Sequence, residues 1–217
     1  MAECQTPLDK GLLILIDGID GSGKTTQCHL LHEAFRFLGL KSTIVKEPSA
    51  DSPYVEKIHS LRSQPRGQVS KEKELKWFTE DTRHNVENHI RPKLREGFIV
   101  IMDRYYHSTI AYQGGLGLDP ECIKAKNEAF APAPDITIIL DIPVTIAIER
   151  INSQRQGNFD SFEEEGYLKK VRDVFLQMQS YGNVRIVEGG GSIPQVFGRV
   201  LSAVRPVIAD KYGMLIR

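Results

Sequence analysis

The stretch LILIDGIDGSGKTTQ, residues 13–27, decides the fold that this sequence predicts. Its inner segment GIDGSGKT, residues 18–25, fits the pattern G-x-x-x-x-G-K-[ST], in which a glycine-rich loop surrounds phosphate groups. The loop follows an apolar run that ends at Asp17 and leads directly into an amphipathic helical pattern. A strand, a phosphate loop and a helix in this order predict a nucleoside triphosphate site at the carboxyl end of a strand.

The loop supplies both backbone and side-chain groups to this predicted site. Its glycines allow a tight turn that points N–H groups at phosphate oxygens, and the helix N-terminus adds its dipole there. We expect Lys24 to reach the β- and γ-phosphates and the Thr25 hydroxyl to ligate Mg²⁺. A chance glycine-rich turn is the alternative, and the flanking strand and helix argue against it. The predicted nucleotide-binding residues here are Gly18, Ile19, Asp20, Gly21, Ser22, Gly23, Lys24, Thr25 and Thr26.

Short apolar runs rich in Ile, Leu and Val recur along the chain and predict parallel strands that are covered on both faces. They span 12–17, 42–46, 98–103 and 136–141, with a weaker one at 184–188. Amphipathic helical patterns lie between them at 24–38, 71–95 and 168–178, and Pro92 is expected to bend or end the second. This alternation predicts an α/β fold, a doubly wound five-stranded parallel sheet with helices on both faces.

Length, charge and cysteine content narrow the class of protein. The 217 residues suit one α/β domain, whereas two domains would be tight. The balance of 28 acidic against 28 basic residues disfavours a nucleic-acid binder. Three scattered cysteines, Cys4, Cys28 and Cys122, favour reduced thiols in a cytoplasmic protein over a disulfide framework or a zinc site. The start MAECQTPLDK lacks signal-peptide character, and no apolar run approaches the ~20 residues of a membrane helix.

A second polar site is predicted by FIVIMDRYYHSTIAYQGG, residues 98–115. Its strand ends in Asp103, whose carboxylate would lie beside the phosphate loop and could hold Mg²⁺ through water. Arg104 follows, placed to fork onto the phosphate of an acceptor. In the alternative interpretation Asp103 caps a helix and Arg104 pairs with a surface acid. Further hydroxyl, ring and amide groups follow at close spacing in Ser108, Thr109, Tyr112 and Gln113.

These motifs together narrow the chemistry to phosphoryl transfer. The chain lacks the N-K-x-D motif that GTPases use to read their base. The combination of GIDGSGKTTQ, Glu47-Pro48 after a strand, DRYYHSTIAYQG and a later arginine-bearing polar segment resembles thymidylate kinases, over roughly residues 11–200. The resemblance implies the P-loop kinase fold with a short mobile lid, ATP and Mg²⁺ as cofactors, and a homodimer. It also implies transfer of the γ-phosphoryl group of ATP to dTMP, which gives dTDP and ADP.

The resemblance also implies roles for individual residues at the acceptor. Asp20 matches the acid that contacts the sugar hydroxyl and phosphate end of the acceptor, and Arg104 matches the arginine on its phosphate. Phe78 matches the aromatic residue that stacks on thymine, although its helical spacing from Leu75 alone would favour a core position. Tyr112 matches the ring that crowds the sugar 2′ position. The other matches, in the turn that lines the pocket and near the base, are Glu47, Pro48, Ser108 and Thr109.

One position departs from the family pattern. The family carries an arginine that reaches the O4 edge of thymine at the place where this chain has Thr82, four residues after Phe78. Arg83 is turned about 100° away on a helix, and a surface pair with Glu87 is an alternative for it. Losing a charge-assisted hydrogen bond to the base could cost ~1.5–3 kcal/mol. Thr82 therefore suggests a kinase of broader deoxynucleotide range as the nearer alternative function. A non-catalytic nucleotide-binding regulator is a separate alternative, and the presence of Asp103, Arg104 and Arg155 argues against it.

The polar segment ERINSQRQGNFDSFEEE, residues 149–165, matches the lid that closes over ATP in the family. Because position 21 of the phosphate loop is glycine, the sequence resembles the group that supplies a catalytic cation from the lid. Arg155 is the first candidate to contact the γ-phosphate and Arg150 the second, with a solvated loop as the alternative. The residues expected to act in the transfer itself are Asp20, Lys24, Arg104 and Arg155.

The chain is expected to form one P-loop kinase domain over 1–217, with a core of about 11–204. Asp141 ends another predicted strand and could be mistaken for a metal ligand. We interpret it instead as the residue that starts the following helix.

Overall fold

The computed structural model describes residues 11–64, 68–154 and 162–213, with five parallel strands in one sheet. The strands are β1 (Leu12–Asp17), β2 (Ser42–Lys46), β3 (Ile99–Asp103), β4 (Ile136–Asp141) and β5 (Val184–Glu188). Their spatial order is β2-β3-β1-β4-β5. The predicted fold class is confirmed.

Helices connect successive strands and cover both faces of the sheet. Between β1 and β3 lie α1 (Lys24–Phe37), α2 (Val55–Ser60), α3 (Lys71–Asn85), a π-helical segment (Val86–Ile90) and α4 (Arg91–Arg95). Later elements are α5 (Tyr106–Gly115), α6 (Pro120–Glu128), α7 (Val144–Gln154), α8 (Glu165–Gln177), a 3₁₀ turn (Met178–Ser180) and α9 (Ile193–Tyr212). Within the described ranges, no helix is both long and apolar enough to cross a membrane.

Strand β1 is the centre of the molecule, and all six of its residues are buried. Its side chains alternate between the two faces of the sheet. Ile14 and Ile16 pack into the core that includes residues of α1 and α9, while Leu13 and Leu15 pack into the core that includes residues of α5 and α8. Since β1 lies between β3 and β4, its carboxyl end opens at the middle of the sheet edge, where the phosphate loop begins.

The predicted break at Pro92 is not found. Pro92 lies in the first turn of α4 and has no N–H to donate to the helical turn that precedes it. The chain reaches that position through the π-helical segment Val86–Ile90, so the helical run continues from α3 without ending.

The packed domain also extends beyond the predicted limit of about 204, because α9 continues through Pro206 and buries Ile208 completely.

A cavity in the middle of β1 should lower stability strongly. Ile14 is 0% exposed, so Ile14→Ala should reduce the free energy of unfolding in urea by about 2–5 kcal/mol. Ile193→Ala is the matched control, because Ile193 is 56% exposed and its loss should change stability by less than about 0.5 kcal/mol. Equal losses for the two variants would contradict the central position of β1.

Candidate active site

The phosphate loop has the backbone conformation that its glycines predict. Gly18, Gly21 and Gly23 have φ of 141°, 78° and 97°, values that side-chain-bearing residues rarely adopt. At Gly21 a Cβ atom would also lie 2.6 Å from the carbonyl oxygen of Ala147, because α7 lies against the loop. Both the backbone turn and this close approach require glycine at position 21.

Lys24 lies over the loop that it follows. Its Nζ donates a hydrogen bond to the carbonyl oxygen of Ile19 at 2.9 Å, and the residue is only 6% exposed. Burial, together with the positive charge of Arg104, lowers the pKa of Lys24 to about 8, although the carboxylates of Asp20 and Asp17 oppose the shift. A polyphosphate bound in the loop would supply the negative charge that holds the ammonium form.

Thr25 and Asp103 meet because β1 and β3 are neighbours in the sheet. The Thr25 hydroxyl donates to Oδ2 of Asp103 at 2.6 Å, and Nζ of Lys46 lies 3.8 Å from the same oxygen. A hydroxyl and a carboxylate are oxygen ligands of the kind that Mg²⁺ prefers. The two residues predicted as metal ligands therefore fit that ion chemically.

Arg104 occupies an unusual backbone conformation directly after β3. Its φ of 72° makes it the one described non-glycine residue with positive φ, and such strain is concentrated at functional sites. The guanidinium forms an ion pair with Asp20 of the phosphate loop and donates to Oγ of Ser108 at 3.0 Å. Ser108 in turn donates to the buried Asp17 at 2.7 Å. This network joins the end of β1, the phosphate loop and α5.

Asp20 is held as a carboxylate by the charges around it. Burial alone would raise its pKa, but the positive charges of Arg104, Lys24 and Arg62 outweigh burial and hold the pKa well below its usual range. The Tyr112 hydroxyl donates to the second carboxylate oxygen at 2.9 Å. Asp20 is therefore a carboxylate near neutral pH and accepts hydrogen bonds there.

An aromatic cavity lies beside this network. Phe78 is half-buried: it lines the cavity and also packs against the core. The core contact explains why it follows the helical spacing of apolar residues. Its ring meets Phe162 edge to face at 6.4 Å between centroids, and Phe162 meets Tyr112 at 5.8 Å. Rings in this arrangement suit a flat aromatic ligand. The cavity is lined by Asp20, Glu47, Pro48, Ile58, Arg62, Phe78, Arg104, Tyr105, Ser108, Thr109, Tyr112 and Phe162.

Arg62 and Phe162 were missed by the sequence analysis. Arg62 follows α2 outside any recognisable motif, and only the fold carries it to the sheet edge. Phe162 lies in the polar segment 149–165, which contains two phenylalanines, and nothing in the sequence singles it out from Phe159. It is only 7% exposed, and its ring forms one wall of the cavity.

Two predicted acceptor residues, Thr82 and Gln113, lie behind the cavity wall and do not line it. Both are 0% exposed. Thr82 donates its hydroxyl to Oε2 of Glu47 at 2.9 Å, and the Gln113 side-chain amide donates to Glu74 at 3.3 Å. The prediction that these two residues contact the acceptor directly is therefore corrected to a supporting position.

Glu47 is the wall residue that Thr82 supports. Burial, followed by repulsion from the carboxylate of Asp81, raises the pKa of Glu47 well above its usual range. Its other oxygen, Oε1, is buried without a hydrogen-bond partner among the described residues. The hydroxyl of Thr82 therefore supplies a hydrogen bond that this acid needs.

Arg83 does not take the place of the missing family arginine. Its guanidinium carbon lies 3.9 Å from the centroid of the Phe130 ring, and its Nε lies 3.6 Å from Glu80. The surface partner is thus Glu80, and the expected pair with Glu87 is not found. Arg83 is absent from the described lining of the aromatic cavity.

The predicted lid is only partly described. Residues 149–154 belong to α7, and Phe162 leads into α8. Arg150 donates to the carbonyl oxygens of Gly21 at 3.2 Å and Gly189 at 3.3 Å, so it bridges the phosphate loop and the turn after β5. Arg155, the first candidate for the γ-phosphate, lies outside the described residues.

Asp141 does not start a helix as expected. Arg172 of α8 donates to both carboxylate oxygens of Asp141, at 2.7 and 2.9 Å. The residue therefore ties the end of β4 to α8 as half of a bidentate ion pair. The first turn of α7 begins at Val144, beyond its reach as a capping residue.

A second cavity, over the phosphate loop, adjoins the aromatic one. It is lined by Gly21, Gly23, Lys24, Thr25, Thr26, Lys46, His59 and Asp103, together with residues of the shared wall. Five residues line both cavities: Asp20, Glu47, Pro48, Arg62 and Arg104. Two arginines thus stand where a ligand on the loop would meet a ligand in the aromatic cavity. Such cations can neutralise two phosphates brought together.

The depressed pKa of Lys24 predicts proton uptake when ATP binds. Above the free-site pKa of about 8 the amine is mostly neutral, and bound phosphates favour its charged form. Calorimetry at about pH 9, in two buffers of different ionisation enthalpy, should show uptake approaching one proton per ATP bound. At about pH 7 the amine is already charged, so Lys24 should take up none, which provides the control. Equal uptake at both values would contradict this assignment.

Removing the Thr82 hydroxyl should destabilise the protein through Glu47. Thr82→Val keeps the shape of the side chain but leaves Oε2 of Glu47 without its donor, which should cost about 1–3 kcal/mol in urea unfolding. Thr145→Val, at an exposed position of α7, should change stability by less than about 0.5 kcal/mol. A loss no larger than that of the control would show that Thr82 does not support Glu47.

Comparison with known proteins gives the family of this chain. The family model described as thymidylate kinase matches residues 16–200. A probable thymidylate kinase of Archaeoglobus fulgidus is 43% identical over 166 residues, which cover 76% of this chain and 81% of the relative. Thymidylate kinases of Akkermansia muciniphila and Desulfotalea psychrophila are 39% and 38% identical, over 94% and 91% of this chain and 96% of each relative. The chain therefore belongs to the thymidylate kinase family.

Proposed function

We propose that this protein transfers the γ-phosphoryl group of MgATP to the 5′-phosphate of dTMP, giving dTDP and ADP. The family and the names of the relatives support this reaction. An oxygen of the acceptor phosphate forms the new bond to the γ-phosphorus, while the bond from that phosphorus to the β,γ-bridging oxygen breaks. The leaving group is ADP.

The observation that carries the proposal is the shared wall between the two cavities. A triphosphate on the loop and a nucleotide in the aromatic cavity would meet at Arg62 and Arg104. Both arginines could neutralise the acceptor phosphate as it approaches the γ-phosphate. Because an acceptor phosphate is already ionised near pH 7, the reaction needs no strong general base, and positioning supplies the catalysis.

On the donor side, the phosphate loop would hold the ATP phosphates through its backbone N–H groups and Lys24. Thr25 and Asp103 fit as ligands for Mg²⁺, which when bound would neutralise charge on the β- and γ-phosphates. Arg150 and Arg155 are proposed as cations on the donor side. Arg150 already contacts the loop through the carbonyl oxygen of Gly21, whereas the role of Arg155 rests on the family resemblance.

On the acceptor side, Phe78 would stack on the thymine ring, with Phe162 closing the opposite part of the cavity. Asp20 keeps the Arg104 guanidinium in place and has free capacity to accept from the sugar hydroxyl. Tyr112, fixed through its hydroxyl to Asp20, would crowd the 2′ position and favour deoxyribose. Ser108 and Thr109 complete the polar edge of the cavity.

The resemblance also supports a homodimer, which we propose as the working assembly. The free thiols of Cys28 and Cys122 suit a reducing compartment and support a cytoplasmic location.

The acceptor preference is tested by ADP formation from MgATP with dTMP, dUMP, dCMP, dGMP and dAMP offered separately. We expect dTMP to give the highest kcat/KM, because the family and its named relatives are thymidylate kinases and the aromatic cavity suits a flat base. Similar values for several acceptors would retain the kinase chemistry but refute thymine selectivity. Turnover that no acceptor stimulates would refute the kinase reaction itself.

Removing the positive charge of Lys24 or of Arg104 should abolish turnover without unfolding the protein. Lys24→Ala and Arg104→Ala should each lower kcat by about 10²-fold or more, since each removes charge stabilisation from the transition state. Arg62→Ala should lower kcat/KM for dTMP more than that for ATP. Arg83→Ala is the matched control, because Arg83 contacts Glu80 and Phe130 and should leave kcat unchanged. Activity retained by Lys24→Ala or Arg104→Ala would contradict the site.

A further inference from the structure

We propose that His84, His89 and Asp51 form a binding site for a divalent transition-metal ion of the Zn²⁺ type, separate from the kinase cleft. One ligand atom from each residue can be chosen so that all three atoms lie within 4.8 Å of one another. None of the three residues lines either nucleotide cavity. The site therefore goes beyond the proposed reaction and does not depend on it.

The distances between the three side chains suit a shared ion. Nε2 of His89 lies 3.0 Å from Oδ2 of Asp51, and Nε2 of His84 lies 3.3 Å from Oδ1 of the same carboxylate. The two imidazole rings stand at 64° to each other with 6.0 Å between their centroids. Ligand atoms that bind a tetrahedral ion at about 2.0–2.2 Å are separated from one another by distances similar to the two given above. Small side-chain rotations would therefore enclose the ion.

The π-helical segment Val86–Ile90 brings the two histidines together. In a regular α-helix, residues five apart such as His84 and His89 would be turned about 140° from each other. A π-helical segment has i→i+5 hydrogen bonds and fewer degrees of turn per residue, so it reduces this angle, and such segments occur frequently at functional sites. The unusual local geometry thus has a consequence at the surface, which is a pair of imidazoles facing one carboxylate.

Neighbouring groups orient the ligands. The Ser49 hydroxyl donates to Oδ1 of Asp51 at 2.7 Å, which fixes the carboxylate. Nε2 of His84 is buried and lacks a hydrogen bond of good geometry to any described residue, although Asp51 is near. Nδ1 of His84 lies 3.2 Å from Nδ2 of Asn88. Nδ2 of Asn88 also donates to the carbonyl oxygen of His84 at 2.9 Å. Metal binding at Nε2 places the proton on Nδ1, so the contact between Asn88 and Nδ1 is given up when the ion binds, while the bond to the carbonyl oxygen can remain.

Ligand chemistry selects the class of ion. Two imidazoles and one carboxylate suit Zn²⁺ and its first-row neighbours, whereas the oxygen ligands Thr25 and Asp103 suit Mg²⁺. Three protein ligands leave at least one position for water. Asp51 and His89 have side chains that are 57% and 38% exposed, so an ion can enter from solvent.

An ion here would act on the wall of the acceptor cavity. Asp51 lies in the turn that follows Glu47-Pro48, and Asp81 of α3 already accepts from the Ser49 N–H with both oxygens at 3.2 Å. The direct contact of His89 with Asp51 already ties the same turn to the helical run, and a bound ion would replace that contact with bonds from one centre to Asp51, His84 and His89. Occupancy should therefore raise the thermal midpoint of unfolding.

The test is Co²⁺ binding to the tag-free, nucleotide-free full chain in a background with Cys4→Ser and Cys122→Ser, so that these two thiols cannot supply ligands. Co²⁺ replaces Zn²⁺ and reports its ligands through visible absorption. We expect one Co²⁺ per chain, displaced by Zn²⁺ and not by Mg²⁺. His89→Gln and His84→Gln should each weaken binding by about tenfold or more and change the spectrum.

His29→Gln is the matched control, because it removes an exposed histidine of α1 far from the cluster in the fold. Its Co²⁺ affinity and spectrum should equal those of the parent. The proposal is overturned if the parent binds no Co²⁺, or if the His84 and His89 variants bind it as the parent does. The three residues would then form a hydrogen-bonded His–Asp–His cluster only. Because no nucleotide is present, neither result bears on the kinase reaction.

Discussion

The ion pair between Arg104 and Asp20 is the interaction on which the rest of the site depends. It joins the end of β3 to the phosphate loop, and through Ser108 it reaches Asp17 at the end of β1. The guanidinium is only 13% exposed, so it must be paired where it stands. The positive φ of Arg104 directs the side chain across the sheet edge, and the network around it holds that strained conformation. The charge of Arg104 thus helps to position the phosphate loop and the wall that the two cavities share.

The sheet and the phosphate loop could be predicted from the sequence because their signals are local. A run such as LLILID can be a strand buried on both faces whatever lies elsewhere in the chain, and GIDGSGKT specifies its own backbone turn. The observed strand order places β3 next to β1 and brings Asp103 beside Thr25. The residues that follow the carboxyl ends of these neighbouring strands were predicted at the correct edge of the sheet.

Residues whose roles depend on packing could not be predicted. Thr82 lies on the helix face of Phe78 in the sequence pattern, yet in three dimensions it is shielded by Glu47 and donates to it. Asp141 looks like a helix start, and its actual partner, Arg172, lies 31 residues away. Arg62 has no motif at all and is brought to the cavity by the turn after α2. The spacing of apolar residues likewise gives no indication of the π-helical segment before Pro92.

The acceptor cavity combines a charged end with an aromatic end, and this division explains how one site could handle a nucleotide. The arginines would bind phosphate strongly but cannot distinguish one base from another. Selectivity must then come from Phe78, Phe162 and the turn at Glu47-Pro48, in a chain that lacks the family arginine. Because Glu47 is buried and its pKa is raised, it presents a neutral acid more readily than a charge. In the proposed reaction, shape would therefore carry more of the base recognition than charge does.

The central claim is that the phosphoryl group moves from the loop to a nucleotide in the aromatic cavity. The most direct measurement is ³¹P NMR of the wild-type protein incubated with MgATP and dTMP. We expect the two diphosphate resonances of dTDP to grow at the rate at which ADP appears. Growth of inorganic phosphate alone, or an unchanged dTMP resonance while ATP is consumed, would contradict it.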